Sequence, residues 1–388
     1  MPAPWCRRLP EHARKMLSSL FWILALALVG GATTEDSGCG PAQLDQSTGL
    51  RRVSVMVNDA HQRFARRWFL LYVPAYYKLT APLPLWILAP GAFNEPDLQI
   101  RMAELTRYAD EQQFAFIALK GVNNLMNVFL KGRSRKGPSD ADDVAYTRAA
   151  VGEARRRLCV DGRRVFCAGY SRGARFCSRL ASELSPLIAA IAPVSGLRFP
   201  EPSNATRPMP IITFHGTDDP VNPYAGGADP RANHEYWDDP VEVAISKWVR
   251  FNGCTREQSF RQSANVVVHK HTQCKDNADV VFVKIDGGGH TWPGSRFNWS
   301  KGLGVVNREI NASVMMGSFF NEHPLPVPGT GVVSADEGTG RGVSALGLAV
   351  LGLATGMLTA ALVPRILRCC CSKDDTDTES EDWSDRGS

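Results

Sequence analysis

One stretch limits what this chain can become. Val165, Phe166, Cys167 and Ala168 form a compact apolar run that passes straight into Gly169-Tyr170-Ser171-Arg172-Gly173-Ala174 and then RFCSRLASEL, a segment of helical character. A buried strand that enters a helix through a G-x-S-x-G turn needs glycine on either side of the serine. Side chains at those positions would collide with the strand and the helix. The same turn exposes the hydroxyl at a helix N-terminus, where developing negative charge is favoured. Ser171 is therefore the candidate nucleophile.

Apolar β-rich runs recur at 51–57, 68–73, 85–88, 115–118, 164–168, 189–192, 211–214 and 280–285. Amphipathic runs between them predict helices over 98–111, 142–158, 173–184, 241–251 and 305–320. In the second of these, Val144, Val151, Ala154 and Leu158 fall on one face, and Asp142 and Asp143 suit its N-terminus. Short apolar strands alternating with helices predict an α/β chain: a mostly parallel central sheet with helices on both faces. With 44% apolar and 21% charged residues the chain is of globular type, not disordered or collagen-like. Its net charge of +5 (44 − 39) is mild and gives no reason to expect nucleic acid.

A nucleophilic serine needs a base and an acid that orients the base. In this architecture the chain order is Ser, then Asp or Glu, then His. Downstream, the strand at 211–214 leads into His215-Gly216-Thr217-Asp218-Asp219-Pro220, and a carboxylate just past a strand end is where the acid should sit. The strand at 280–285 leads into Asp286-Gly287-Gly288-Gly289-His290-Thr291-Trp292-Pro293-Gly294, a glycine-rich loop where the base should sit. Ser171, Asp219 and His290 are thus expected as a triad, with Asp218 competing for the acid's place. His215 precedes the acid and is read as loop packing, and Asp286 shares a loop with the base. His271 and His323 are read as surface residues. The oxyanion donors are expected to be the backbone N–H of Arg172 and that of Ala92, in the turn Pro90-Gly91-Ala92-Phe93-Asn94 after an early strand. Tyr170 and Trp292 are expected to meet the substrate, with a structural plug as the alternative for Trp292. No cysteine or histidine spacing suggests a metal, and no cofactor is expected.

The two ends carry apolar runs of different kinds. Arg7, Arg8, Arg14 and Lys15 precede the apolar 17–29 stretch and small residues at 30–32, so 1–32 reads as a cleaved signal peptide. Residues 33–325 then form one ectodomain and 326–341 a linker. The 22 residues of 342–363 carry no charge, and at 1.5 Å each they would extend about 33 Å, enough for a bilayer core. We read 342–364 as one C-terminal transmembrane helix and 365–388 as an acidic cytoplasmic tail, giving a type I single-pass protein of the secretory pathway. Gly352 and Gly356 would permit close helix approach, and Cys369, Cys370 and Cys371 lie just past the span, where S-acylation is expected. The oligomeric state stays open. Cys39, Cys159, Cys167, Cys177, Cys254 and Cys274 fall in the ectodomain, where six cysteines allow 15 full pairings. Sequons at Asn204, Asn298 and Asn311 fit the same compartment.

Three segments together, GYSRGA, HGTDDPVNPY and DGGGHTWPG, resemble those of secreted feruloyl esterases and polyhydroxybutyrate depolymerases of the α/β-hydrolase superfamily, over about 51–320. The resemblance implies the α/β-hydrolase fold and a serine carboxylic-ester hydrolase. Its substrate would be a hydroxycinnamoyl or short acyl ester, borne on a polymer or free. It places the triad on Ser171, Asp219 and His290, favouring Asp219 over Asp218, and pairs Cys254 with Cys274. The other four ectodomain cysteines stay unassigned; Cys167 and Cys177 flank the turn, where buried thiols would suffice. Two departures stand out. The family's His-Gly at the early strand end is Pro90-Gly91 here, and the basic segment 121–138 lacks the family's loop. Alternatives are a polyhydroxybutyrate depolymerase, a polysaccharide acyl esterase or a peptidase on the same triad. A catalytically dead cell-surface binding protein is the alternative from another class.

Overall fold

Why the sheet must be covered on both faces is visible in single strands. In Leu83–Ala89 every residue is buried: Leu85, Ile87 and Ala89 join one core, Trp86 and Leu88 the other. The computed structural model describes residues 47–57, 65–78, 81–128, 141–227, 239–297 and 300–327, all within a compact unit spanning 35–332. The expected signal peptide, the transmembrane helix at 342–364, the acidic tail, Cys39, Asn298 and most of the basic segment lie outside the described residues. Among the described residues no helix is long and apolar enough to cross a membrane.

The strands are β1 (Gly49–Val57), β2 (Ala65–Val73), β3 (Leu83–Ala89), β4 (Ala115–Leu119), β5 (Val160–Tyr170), β6 (Ala190–Val194), β7 (Ile211–Gly216), β8 (Arg256–Ser263), β9 (Val266–Thr272) and β10 (Val280–Ile285). They form one sheet in the order β1-β2-β4-β3-β5-β6-β7-β10-β9-β8. The central run from β4 to β10 is parallel, and both flanks are antiparallel. The helices are α1 (Pro96–Met102), α2 (Leu105–Gln112), α3 (Asp143–Arg157), α4 (Arg172–Glu183), α5 (Val241–Asn252), α6 (Ser300–Leu303) and α7 (Ala312–Glu322). Apolar residues of α3, α4 and α5 pack on one face of the sheet; those of α1, α2 and α7 pack on the other. On the second face Trp86 stacks on Phe114 at 4.1 Å, and Phe166 on Phe320 at 4.5 Å.

All eight expected strands form. Two expected helices need correction. The helix expected at 98–111 is two, broken where Glu104 takes φ 48°. The break lets Ala103 O accept the Ser313 hydroxyl at 2.8 Å, which ties α7 to this face. The helix expected from 305 begins only at Ala312, because the backbone before it serves as hydrogen-bond partner for the loop after β10. The hairpin β8–β9 was not anticipated. Its outer strand is exposed almost throughout, so it carries no apolar alternation to read.

Asp142 caps α3, accepting the Ala145 N–H at 2.9 Å, but Asp143 does something else. It is buried and paired with Arg67 at 2.7 Å, while its second oxygen accepts the Asn127 N–H. The same guanidinium donates to Lys120 O at 2.9 Å, so one buried pair holds both ends of the 120–127 segment. Burial pushes the Asp143 carboxyl up, against the pull of Arg67. Removing one partner leaves a buried charge uncompensated, so Asp143→Ala is expected to cost about 3–5 kcal/mol by urea denaturation. Replacing both, Arg67→Met with Asp143→Leu, should recover most of that loss.

Candidate active site

The turn after β5 is a single residue. β5 ends at Tyr170, α4 begins at Arg172, and Ser171 between them sits at φ 54°, ψ −116°, a backbone region that side chains rarely occupy. Both glycines are required by close approach. A Cβ on Gly173 would lie 1.9 Å from Ala89 O, and one on Gly169 would lie 2.3 Å from Gly173 O. Cys167 of β5 and Cys177 of α4 are disulfide-bonded across this turn, which corrects the reading of them as buried thiols. Cys254 and Cys274 are bonded to each other, and Cys159 is disulfide-bonded as well.

Asp219 follows β7 with its side chain fully buried, whereas Asp218 is exposed and bonded to Thr217 Oγ1. One Asp219 oxygen accepts the N–H groups of Val221 (2.9 Å) and Asn222 (2.7 Å). The other lies 2.8 Å from His290 Nδ1. His290 is buried on the loop after β10, and its own N–H donates to Leu303 O at 2.6 Å. Its carbonyl accepts the Tyr170 hydroxyl at 2.6 Å, and the two rings lie 5.1 Å apart. The structure therefore brings Asp219 and His290 together, and sets His290 against the residue that precedes Ser171.

His215 lies beside this pair, its Nε2 2.9 Å from Asn222 O and 3.4 Å from Asp219 Oδ2. Asn222 was missed by sequence reasoning. Its Nδ2 donates to Ser195 O at 2.6 Å and its Oδ1 accepts from Arg175 Nη2, so it knots the acid's loop to β6 and α4. Burial, then the Arg198 and Arg172 charges, bring the Arg175 guanidinium down to about 9. An asparagine three residues past the acid is the only local signal, and it is weak.

Both side chains expected near the substrate are buried, and for Trp292 the plug is the reading that stands. Trp292 is 1% exposed and donates from Nε1 to Ser313 Oγ at 3.1 Å, so it plugs the core between the base loop and α7. Tyr170 is also buried, and its hydroxyl is spent on His290 O. His323 is not a surface residue: it is buried, stacked on Phe319 at 4.0 Å. His271 is partly buried. The sequon Asn204 is exposed. Asn311, by contrast, caps α7 through Oδ1 and donates from Nδ2, the atom a glycan would join, to Tyr108 Oη at 2.8 Å. In the turn after β3, Gly91 N–H goes to Gln99 Oε1, Phe93 N–H to Asn124 O and Asn94 N–H to Gly91 O. Ala92 lies at its centre, partly exposed.

Burial holds the His215 imidazole below its ordinary range, opposed by the Asp219 charge. An unfolded histidine takes a proton near pH 6.5 while the folded one resists it, so this group's share of stability is lost as pH falls below about 6.5. The stability advantage of the native chain over His215→Gln should therefore be smaller at about pH 5 than at about pH 7.5. Chemical denaturation at the two values measures it, and a pH-independent difference would count against the assignment.

No protein-family model matches the chain. It is 31% identical over 175 residues to feruloyl esterase B of Piromyces equi, covering 42% of this chain and 31% of that protein. It is 27% identical over 248 residues to a putative esterase of Nocardia uniformis subsp. tsuyamanensis, covering 59% and 72%. It is 24% identical over 236 residues to a bifunctional acetylxylan esterase/xylanase of Neocallimastix patriciarum, covering 61% and 32%. The first and third alignments thus span about a third of those relatives' lengths. Among solved structures, an acetyl xylan esterase from Aspergillus awamori superposes with TM-score 0.46 at 13% identity, covering 63% of this chain and 94% of that one. The mostly parallel sheet with its serine turn is an α/β-hydrolase fold. In sequence the chain resembles feruloyl esterases and related carboxylic-ester hydrolases.

Proposed function

We propose that this chain is a serine carboxylic-ester hydrolase of feruloyl-esterase type that works through an acyl-enzyme. The observation that carries the proposal is the His290 Nδ1 to Asp219 Oδ2 contact of 2.8 Å, formed beside a serine held in a strained turn. Asp219 fixes the imidazole with its proton on Nδ1, leaving Nε2 as the base. Ser171 Oγ attacks the ester carbonyl carbon and passes its proton to His290 Nε2. The oxyanion that forms is met by the N–H groups of Arg172 and Ala92. Collapse breaks the bond to the alcohol oxygen, which leaves with the proton from His290. Water then repeats the sequence on the acyl-serine, releasing the acid and restoring Ser171. Pro90 in place of the family's histidine removes a donor at 90 and leaves the one at 92.

The substrates of the relatives suggest a hydroxycinnamoyl or short acyl ester on a polysaccharide. The site belongs on the outer side of a membrane, tethered by the apolar 342–364 run. Disulfides at Cys159, Cys167–Cys177 and Cys254–Cys274 fit an oxidising compartment.

Ser171→Ala should abolish fluorophosphonate labelling and lower ester turnover at least about 10³-fold with little change in Tm. Native-like turnover of methyl ferulate or acetylated xylan by that variant would sink the assignment. Asp219→Asn, which offers the imidazole the wrong partner, should lower kcat by up to about 10⁴-fold. Protease added outside intact cells should release the catalytic domain and spare a tag at the C-terminus; loss of the tag would reverse the topology.

A further inference from the structure

Phe93 is placed at a cost, and nothing in the fold is repaid by it. It follows Ala92 in the turn after β3, takes φ 64°, and leaves its ring 74% exposed. A lone exposed apolar side chain is ordinary. A large one in the left-handed region is not, because its Cβ crowds the backbone there. The conformation is enforced from outside the turn. Phe93 N–H donates to Asn124 O at 2.9 Å, and Asn124 itself sits at φ 60°. Asn124 Nδ2 then donates to Glu95 Oε1 at 2.8 Å, on the other side of Phe93. Lys120 Nζ closes the clamp, 2.6 Å from both Glu95 oxygens and in contact with Asn124 Oδ1. Hydrogen bonds from Lys120 and Asn124 hold the Glu95 carboxyl below its usual range, consistent with a formed clamp.

Two further exposed apolar side chains stand on the loops of the same site. Val221 is 49% exposed, and its N–H binds Asp219. Val305 is 63% exposed, and its carbonyl accepts the Gly289 N–H, next to His290. The turn after β3 and the loop after β7 thus each present an apolar side chain to solvent, and a third stands on the segment after α6 that is bonded to the loop of His290.

Resting on the esterase reading above, we propose that Phe93 is a specificity-determining platform that takes the flat face of a ring carried by the ester, on its acyl or its alcohol side. Aromatic rings and sugar rings share that chemistry, since both offer an apolar face to a phenyl ring.

The test uses the full chain and three esters: ringless methyl butyrate, methyl ferulate with its ring in the acyl group, and a monoacetylated methyl xyloside with its ring in the alcohol. Phe93→Asn removes the ring and suits the left-handed backbone. The ratio of kcat/KM for a ring-bearing ester to that for methyl butyrate should fall about tenfold or more through KM, with Tm no lower than native. Phe93→Tyr, which keeps the platform, should keep the ratio. The ester whose ratio falls locates the ring. A ratio within twofold of native for both ring-bearing esters overturns the proposal. So does Phe93→Tyr losing as much as Phe93→Asn, or a lowered Tm, which would make the ring a packing element. Failure of the esterase reading shows separately, as absence of fluorophosphonate labelling at Ser171 in the native chain, and would overturn both.

Discussion

The contact between Gly173 and the end of β3 is the constraint on which the site depends. The first turn of α4 presses onto Ala89 O so closely that no side chain fits at 173. That leaves one residue, Ser171, to reverse the chain from β5 into α4, and it does so at φ 54°. Strain of this kind costs on the order of 1–3 kcal/mol and survives only where the surroundings over-determine it. Here they do. Ser171 N–H is held by Val194 O at 2.8 Å, its carbonyl accepts the Arg175 N–H, and Cys167 and Cys177 bind strand to helix across the turn. The energy to hold the turn comes from the two buried cores, so the hydroxyl is placed by packing far larger than itself.

Around Asp219 the problem is a buried carboxylate. A group of this kind is tolerable only when its oxygens are met by donors. The N–H groups of Val221 and Asn222 supply one oxygen, and His290 supplies the other, with His215 close by. Those donors are themselves fixed. Asn222 is tied to Ser195 O and to Arg175, and His290 to Leu303 O and Tyr170. Asp219 is therefore tied to His290 within a network that reaches β5, β6 and α4, and each of these elements also frames Ser171.

How much of this was legible follows from which interactions are local. The serine turn, the acid after β7 and the histidine after β10 each announce themselves within ten residues, because a strand end, a glycine and a polar group must be adjacent there. Asp219 was preferred to Asp218 from its place and more firmly through resemblance, while the burial that separates them is not encoded in two neighbouring residues. Tyr170 was misplaced and Trp292 left open between two readings because their partners, His290 O and Ser313 Oγ, are remote in the chain or hidden in α7. The hairpin β8–β9 escaped because an exposed, polar strand has no period to read. The break at Glu104 escaped because its reason, the Ser313 bond to Ala103 O, spans 210 residues.

The two proposed oxyanion donors lie on separate loops, and the structure couples them through α4. Arg172 contributes its backbone at the helix start, while its side-chain Nε donates to Met126 O at 2.6 Å. About two turns later Arg179 Nη1 donates to Asn127 O at 2.9 Å. These bonds seat the 120–127 segment on the helix, and the buried Arg67–Asp143 pair secures its ends. That segment in turn holds the other loop, through Asn124 O and the Phe93 N–H beside Ala92. A site that stabilises an oxyanion works best when its donors need no rearrangement as charge develops. Here the helix that follows the strained serine also seats the segment that holds the other loop, through a chain of bonds from Arg172 through Met126 and Asn124 to Phe93.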